Sequence, residues 1–309
     1  MAACGMLTLV AVSGFVYIFR DQLIKLVRQQ DLLEYPEAKR CSECHKLIYD
    51  SWKESRHSIA WKSETYIEAT KNRSQEKCFP CHIPVEVKAG IKPSPRLNNR
   101  EDGIYCVPCH VIDNKMNGPY DLFSPPHPTI QNPEYRKSKI CGSCHEKTYK
   151  EWLSTGEQKT CQECHMPRLK KRLVQKFPLG LLHAKKLVGD HRFIHGEITA
   201  KDLLVSAEMK DNQLFITLLN RLIPHFLPTA TSGDPRLFLY IRLFDRDGKE
   251  IEKFKEIFAP QQKTALPFGK KIILKYQPAD STNRIEVSLQ YKPSWSKEKK
   301  VLRYIELIS

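Results

Sequence analysis

Long apolar segments are scarce in this sequence. Of its 309 residues, 28% are charged and 41% are hydrophobic, and few apolar stretches keep the period of a helix or a strand. A polytopic membrane protein is therefore excluded, because each of its spans would need about 20 consecutive apolar residues. Cysteine is absent after residue 164. The chemistry that cysteine supports is thus confined to the first part of the chain.

The cysteines that are present follow one pattern. Ten of the eleven belong to five copies of C-x-x-C-H, far more than chance would produce. The five copies are Cys41/Cys44/His45, Cys78/Cys81/His82, Cys106/Cys109/His110, Cys141/Cys144/His145 and Cys161/Cys164/His165.

The spacing of this motif suits covalent haem attachment. Two thiols three residues apart can form thioethers with the two vinyl groups of one haem, and the adjacent imidazole then lies beneath the iron as its proximal ligand. We therefore predict five covalently bound haems c, with the five motif histidines as iron ligands. A Cys4 zinc site or a redox dithiol are the alternatives. Zinc does not require a histidine after each second cysteine, and a redox dithiol occurs once per domain.

The N-terminal segment favours export. Met1 to Phe19 contains no charged residue, and the apolar, helix-like pattern continues to Val27, which is long enough to span a bilayer. We expect a retained membrane anchor, although Ala11-x-Ser13 leaves a cleaved signal peptide open. The cations that follow would by the positive-inside rule put the body in the cytoplasm. Haem c is attached outside the cytoplasm, so we expect the body on the periplasmic or extracytoplasmic face of the membrane.

Three regions are predicted along the chain. They are a transmembrane anchor or uncleaved signal (residues 1–30), a loop-rich and helical pentahaem cytochrome domain (31–198) and an antiparallel β-sandwich (199–309). The second region has about 35 residues per haem, too few to bury a conventional core, so the porphyrins must supply most of it. The third region has short strand-like runs separated by turn signals such as Asp245-Arg246-Asp247-Gly248.

Histidines outside the motifs are the candidates for the second iron ligand. Six remain, enough for two histidines at every iron, which would give low-spin haems suited to electron transfer. We expect ligands among His57, His127, His183, His191 and His225. His195 lies four residues after His191, so the two could share a helix face, with one as a ligand and the other structural. An ordinary loop residue remains the alternative for His127, and an interdomain hydrogen-bonding residue for His225.

We do not interpret the excess of basic residues as an indication of nucleic-acid binding. The net charge is +15, but five haems would add about ten propionates. Lysines around haem edges would instead steer acidic redox partners, with a merely solvated basic surface as the alternative.

Several segments together resemble a known family. They are Cys41–His45 followed by Trp52-x-x-Ser55-x-His57, then Gly103–His110, Cys141–Trp152 and Cys161–Pro167. They are similar to multihaem cytochromes related to the tetrahaem nitrification cytochrome, hydroxylamine oxidoreductase and pentahaem nitrite reductase.

That resemblance carries expectations about the site. It implies parallel and perpendicular haem pairs and makes His57 a distal ligand. Asp190–Phe193 is similar to a His-Arg-Phe segment of relatives that carry a C-terminal sandwich. Pro224–Thr229 resembles their Gly-His-x-x-Pro-Thr-Gly motif, with Pro224 and Ala230 in place of the glycines.

The expected function is electron relay. The electron donor would be a quinol-side membrane complex or another redox protein, and the acceptor would be periplasmic or extracellular. The chain could also assemble with other cytochrome subunits. A reductase or oxidase of a small nitrogen or sulfur compound, with one open haem, is an alternative. The resembled nitrite reductases generally use C-x-x-C-K at the catalytic haem, whereas all five motifs here end in histidine. A polymeric cytochrome filament is a further alternative.

Overall fold

The computed structural model describes residues 29–177 and 179–308. Helices in this part of the chain are short. They are α1 (Ala38–Ser42), α2 (Lys46–Lys53), α3 (Glu64–Ala69), α4 (Phe79–His82), α5 (Cys106–His110), α6 (Lys139–Gly142), α7 (Glu146–Leu153), α8 (Cys161–His165) and α9 (Leu179–Leu182).

The strands fall into short ribbons in the first part of the chain and longer ones in the last. The short strands are β1 (Val111–Ile112), β2 (Lys115–Gly118), β3 (Thr129–Gln131), β4 (Arg168–Lys171) and β5 (Lys186–Gly189). The longer strands are β6 (Leu203–Lys210), β7 (Gln213–Asn220), β8 (Arg236–Phe244), β9 (Glu250–Phe258), β10 (Lys271–Tyr276), β11 (Arg284–Lys292) and β12 (Lys300–Ile308).

The described chain divides into two compact units, and neither is continuous in sequence. The first unit comprises residues 29–61, 79–140 and 166–193, with Pro178 outside the described residues. Its two sheets have the strand orders β1-β2-β3 and β4-β5. Its buried hydrophobic cluster is small and consists of Leu33, Ala38, Trp52, Tyr105, Val107 and Val111. A cluster of that size stabilises little of the chain around it.

The second unit comprises residues 62–78, 141–165 and 194–308 and contains the longer strands. One sheet has the order β10-β7-β6 and the other β12-β11-β8-β9, with every pairing antiparallel. Alternate side chains of each strand point to opposite faces, and in β7 the buried set is Leu214, Ile216, Leu218 and Asn220. Residues such as Leu239 and Val287 from the other sheet join these leucines and Ile216 in one core.

The fold class predicted from the sequence is wrong in its first element. No helix within residues 29–177 and 179–308 is long and apolar enough to cross a membrane. The longest of those helices have eight residues, or about 12 Å against a hydrocarbon core of about 30 Å. Residues 1–28, on which the predicted anchor fell, lie outside the described residues. The cytochrome-like region and the β-sheet region are both present.

Candidate haem sites

Four of the five cysteine motifs lie on single helical turns. In the first and fourth motifs the amides of His45 and His145 each donate to the carbonyl of the first cysteine, over 2.9 Å. The third and fifth motifs are themselves the short helices α5 and α8, which contain Cys109 and Cys164.

The second motif has a different local structure. Cys78 ends a short 3₁₀ helix (Glu76–Cys78), whereas Cys81 and His82 lie in α4. This motif is therefore divided between two elements. Cys81 is half-buried, as is Cys78. Their role as the two thioether positions of this motif stays a prediction.

None of the ten motif cysteines is paired in a disulfide in the described part of the chain. Each sulfur is therefore available for a thioether bond with a vinyl group of a haem. The residues present thus fit covalent haem attachment.

Four of the motif histidines are oriented by a backbone carbonyl. A carbonyl oxygen only accepts hydrogen bonds, so the Nδ1 atom of each ring donates and Nε2 keeps its lone pair for a metal. The four contacts are His45 Nδ1 to Leu173 O (2.7 Å), His82 Nδ1 to Ala60 O (2.6 Å), His110 Nδ1 to Asn117 O (2.8 Å) and His165 Nδ1 to Ile194 O (2.8 Å). Such carbonyl partners are the usual support of a ligating imidazole.

Burial keeps several of these imidazoles neutral. It lowers the pKa of His45, His82 and His110 below the usual value. Burial, with a neighbouring histidine as the second cause, lowers the pKa of His127 and of His191 to about 4. An imidazole must be neutral to bind a metal, so these side chains are in the ligating form at neutral pH.

Three motif histidines face a second histidine at nearly the same distance. The ring centroids are 6.3 Å apart for His45 and His127, 6.2 Å for His110 and His191, and 5.9 Å for His165 and His195. A metal–imidazole bond of ~2.0 Å on each side and ~1.2 Å from nitrogen to ring centre place two axial imidazoles ~6.4 Å apart. The residues present therefore fit a haem iron between the two rings of each pair.

The other candidate histidines lie in different surroundings. The His57 ring meets Phe193 edge-on, with the centroids 4.2 Å apart. His183 lies close enough to His45 to contribute to lowering its pKa. His225 donates Nδ1 to its neighbour's carbonyl, Phe226 O, over 2.9 Å, and burial lowers its pKa.

Gly103 explains how the segment after His57 is positioned. Its φ is +59°, a conformation that other residues rarely adopt, and a Cβ there would lie 2.5 Å from the carbonyl oxygen of His57. The neighbouring amide of Ile104 donates to that same oxygen over 2.9 Å. A side chain at position 103 would therefore displace the backbone of His57 from the segment that leads into the third motif.

His195 is the candidate that the sequence left undecided. The interpretation of His191 and His195 as neighbours on one helix face is wrong, because residues 190–198 form no helix. Each ring instead faces its own motif histidine. His195 also packs against Trp295, with the ring centroids 5.2 Å apart. The only sequence signal for this role was the surplus of histidines after the last motif.

Comparisons with known proteins bear on the family and the fold of this chain. The model of the cytochrome c554 and c-prime family matches residues 40–111, which include the first three motifs. A search of curated proteins gives no match. The crystal structure of a penta-heme cytochrome c552 from Thermochromatium tepidum has a TM-score of 0.60 at 16% identity, covering 90% of this chain and 100% of that chain.

Two further solved structures match only in part. A Northeast Structural Genomics Consortium target has a TM-score of 0.22 at 11% identity, covering 37% of this chain and 90% of that chain. A glycosyl hydrolase family 2 member from Bacteroides cellulosilyticus has a TM-score of 0.18 at 12% identity, covering 35% of this chain and 13% of that chain. Scores this low carry no argument about the fold.

The motifs, the family match and the shared fold together define the class. This chain is a multihaem c-type cytochrome. The cytochrome c class and haem c as its cofactor, predicted from the motifs, are thereby confirmed.

Proposed function

We propose that this protein relays electrons through five covalently bound haems c, most of them held between two histidines. The observation that carries the proposal is the set of three histidine pairs with ring centroids 5.9–6.3 Å apart. Haem iron with two imidazole ligands supplies one-electron chemistry at low potential without an open coordination position. Such a site favours electron transfer over substrate binding.

The ligand assignment follows from these pairs. His45 with His127, His110 with His191, and His165 with His195 would each hold one iron. The two remaining motif histidines, His82 and His145, would take distal ligands from His57, His183 and His225. Carbonyl contacts that fix the Nδ1 atoms of four motif histidines would hold these rings in a ligating orientation.

The proposed setting is extracytoplasmic. Haem c is attached there, and the ten motif cysteines, none of them in a disulfide in the described part of the chain, are available for that attachment. The donor would be a quinol-side complex or a redox protein, and the acceptor would be periplasmic or extracellular. The net charge of +15 favours acidic partners, even after the haem propionates reduce it. The sequence resemblance favours a relationship to the wider group that includes hydroxylamine oxidoreductase and pentahaem nitrite reductase.

An electron paramagnetic resonance spectrum of the oxidised, fully loaded protein tests the proposal. We expect low-spin signals only, because two imidazoles give a strong axial field at each iron. A redox titration should show every haem at negative or low potential. If about one fifth of the iron were high-spin and bound nitrite or sulfite, the reductase alternative would replace electron relay.

A further inference from the structure

Two segments of the chain repeat each other at a spacing of 100 residues. From the first cysteine of each motif to the tryptophan, the identical positions are Cys41 and Cys141, Cys44 and Cys144, His45 and His145, Tyr49 and Tyr149, and Trp52 and Trp152. Both segments form an eight-residue helix directly after the motif histidine, α2 and α7. The Tyr–Trp ring centroids are 5.5 Å apart in the first copy and 5.8 Å apart in the second. Positions at which the copies differ therefore indicate what is special to each.

Glu151 is such a position. Its counterpart, Ser51, bonds only within its own helix, to the carbonyl of Leu47 over 3.0 Å. The Glu151 side chain is instead buried, with 7% of the residue exposed. A carboxylate is costly to bury. Since the first copy forms the same helix without one, Glu151 is not needed for the helix itself.

The Glu151 carboxylate holds the loop that carries His225. Its Oε2 atom accepts from the hydroxyl of Thr229 over 2.6 Å and from the backbone amide of Phe226 over 3.2 Å. The hydroxyl of Thr148 lies 2.9 Å from that of Thr229. The Thr229 hydroxyl has one proton and donates it to Glu151, so Thr148 is the donor in this second contact. Helix α7 is thus fastened to the loop by two neighbouring side chains.

Asn220 holds the same loop from the opposite side. It is fully buried at the end of β7, and its side-chain amide donates to the carbonyl of His225 over 2.8 Å and to that of Ile223 over 3.0 Å. The carbonyl of His225 and the amide of Phe226 belong to one peptide plane. Asn220 binds one end of this plane and Glu151 binds the other, so the backbone direction at His225 is fixed.

The second oxygen of Glu151 is not used in this clamp. Among the described residues, Oε1 is buried and has no hydrogen-bond partner. A buried polar atom without a partner lowers stability. The clamp therefore depends on Oε2 alone, and a replacement side chain need only keep one acceptor oxygen there.

We propose that Glu151, together with Asn220, is a positioning residue that holds His225 as a distal iron ligand. This inference rests on the proposed function, in which His225 is one of the candidate ligands. Without the carboxylate the peptide after His225 is held at one end only. The imidazole then leaves its position for part of the time, and the iron it serves becomes five-coordinate.

Variants of the loaded full-length protein test this role by spin state. His225→Ala should make about one haem in five high-spin. Glu151→Ala should give a high-spin signal at the same g values with a smaller amplitude, and Glu151→Gln, whose amide oxygen still accepts both hydrogen bonds, should remain low-spin. Ser51→Ala, at the matched position of the first copy, should leave the spectrum unchanged.

The contrary outcomes separate the two proposals. Glu151→Ala could lower the unfolding temperature and yet leave every haem of the folded protein low-spin. In that case Glu151 is merely structural and the inference fails. If His225→Ala leaves every haem low-spin, His225 is not a ligand and the inference fails, while electron relay stands. If Glu151→Ala does not fold, Thr229→Val replaces it as the test, because it removes one of the two hydrogen bonds to Glu151. The inference then holds only if Thr229→Val raises the high-spin signal.

Discussion

Without haem, the cytochrome region of the full chain should be digested by a low concentration of protease, and a fragment containing the β-strands should survive. The fragment is expected to begin between residues 194 and 203 and to be identified by its mass. The buried cluster of the first unit has six residues, against fifteen in the β-sheet core, among the described residues. Helices of four to eight residues are unstable alone, so the cytochrome region depends on its porphyrins.

The matched control is the same chain with its haems attached, treated with the same protease for the same time. It should resist digestion in both regions, because the bound porphyrins fill the space between the short helices. Equal resistance of the haem-free and loaded chains would contradict the account. So would loss of the β-strand fragment as fast as the cytochrome region.

Replacing His191 with alanine should convert one haem to the high-spin state. The His191 ring lies 6.2 Å from that of His110 and is held by its neighbours. Asp190 is almost fully buried, forms a bidentate contact with Arg192, and its amide donates to Pro167 O over 3.1 Å. With alanine at position 191, the iron that His110 would hold loses its second imidazole. The high-spin signal in electron paramagnetic resonance and the amount of bound carbon monoxide should each correspond to about one fifth of the haem.

His191→Met provides the matched comparison. A thioether can still ligate the iron, so this variant should stay low-spin while the potential of one haem rises by roughly 0.1 V or more. Arg192→Ala keeps the imidazole and removes only the contact with Asp190, so its high-spin signal should be much smaller than that of His191→Ala. If His191→Ala retained a fully low-spin spectrum and bound no carbon monoxide, the pairing of His110 with His191 would not describe an iron site.

Parts of the β-sheet region could be predicted from its sequence. The apolar run over Leu214 to Leu219 and the apolar alternation over Ile285 to Tyr291 predict strands that the structure has as β7 and β11. The sequence does not mark strand β9, because its inward positions include Glu252 and Glu256. It lies at the edge of its sheet, where inward-pointing charges are tolerated and protect against edge pairing. Its apolar residues alone do not alternate, so the period was hidden.

The cysteine motifs could be read from the sequence, but the histidine pairs could not. Each motif is complete within five residues, so local spacing suffices to recognise it. The paired rings come from residues far apart in the chain, such as His45 with His127 and His110 with His191. Those distances depend on how loops such as the one after β5 fold back. The transmembrane helix was predicted from the charge-free, apolar and helix-like run before residue 28, which lies outside the residues that the structure describes.

The number of haems per chain is the most direct test of the central claim. Matured protein should be analysed by pyridine haemochrome absorbance and by the mass of the intact chain. The account predicts five covalently attached haems c for each polypeptide and one iron for each haem. A colourless protein, zinc in place of iron, or fewer than five haems on fully matured chains would contradict it.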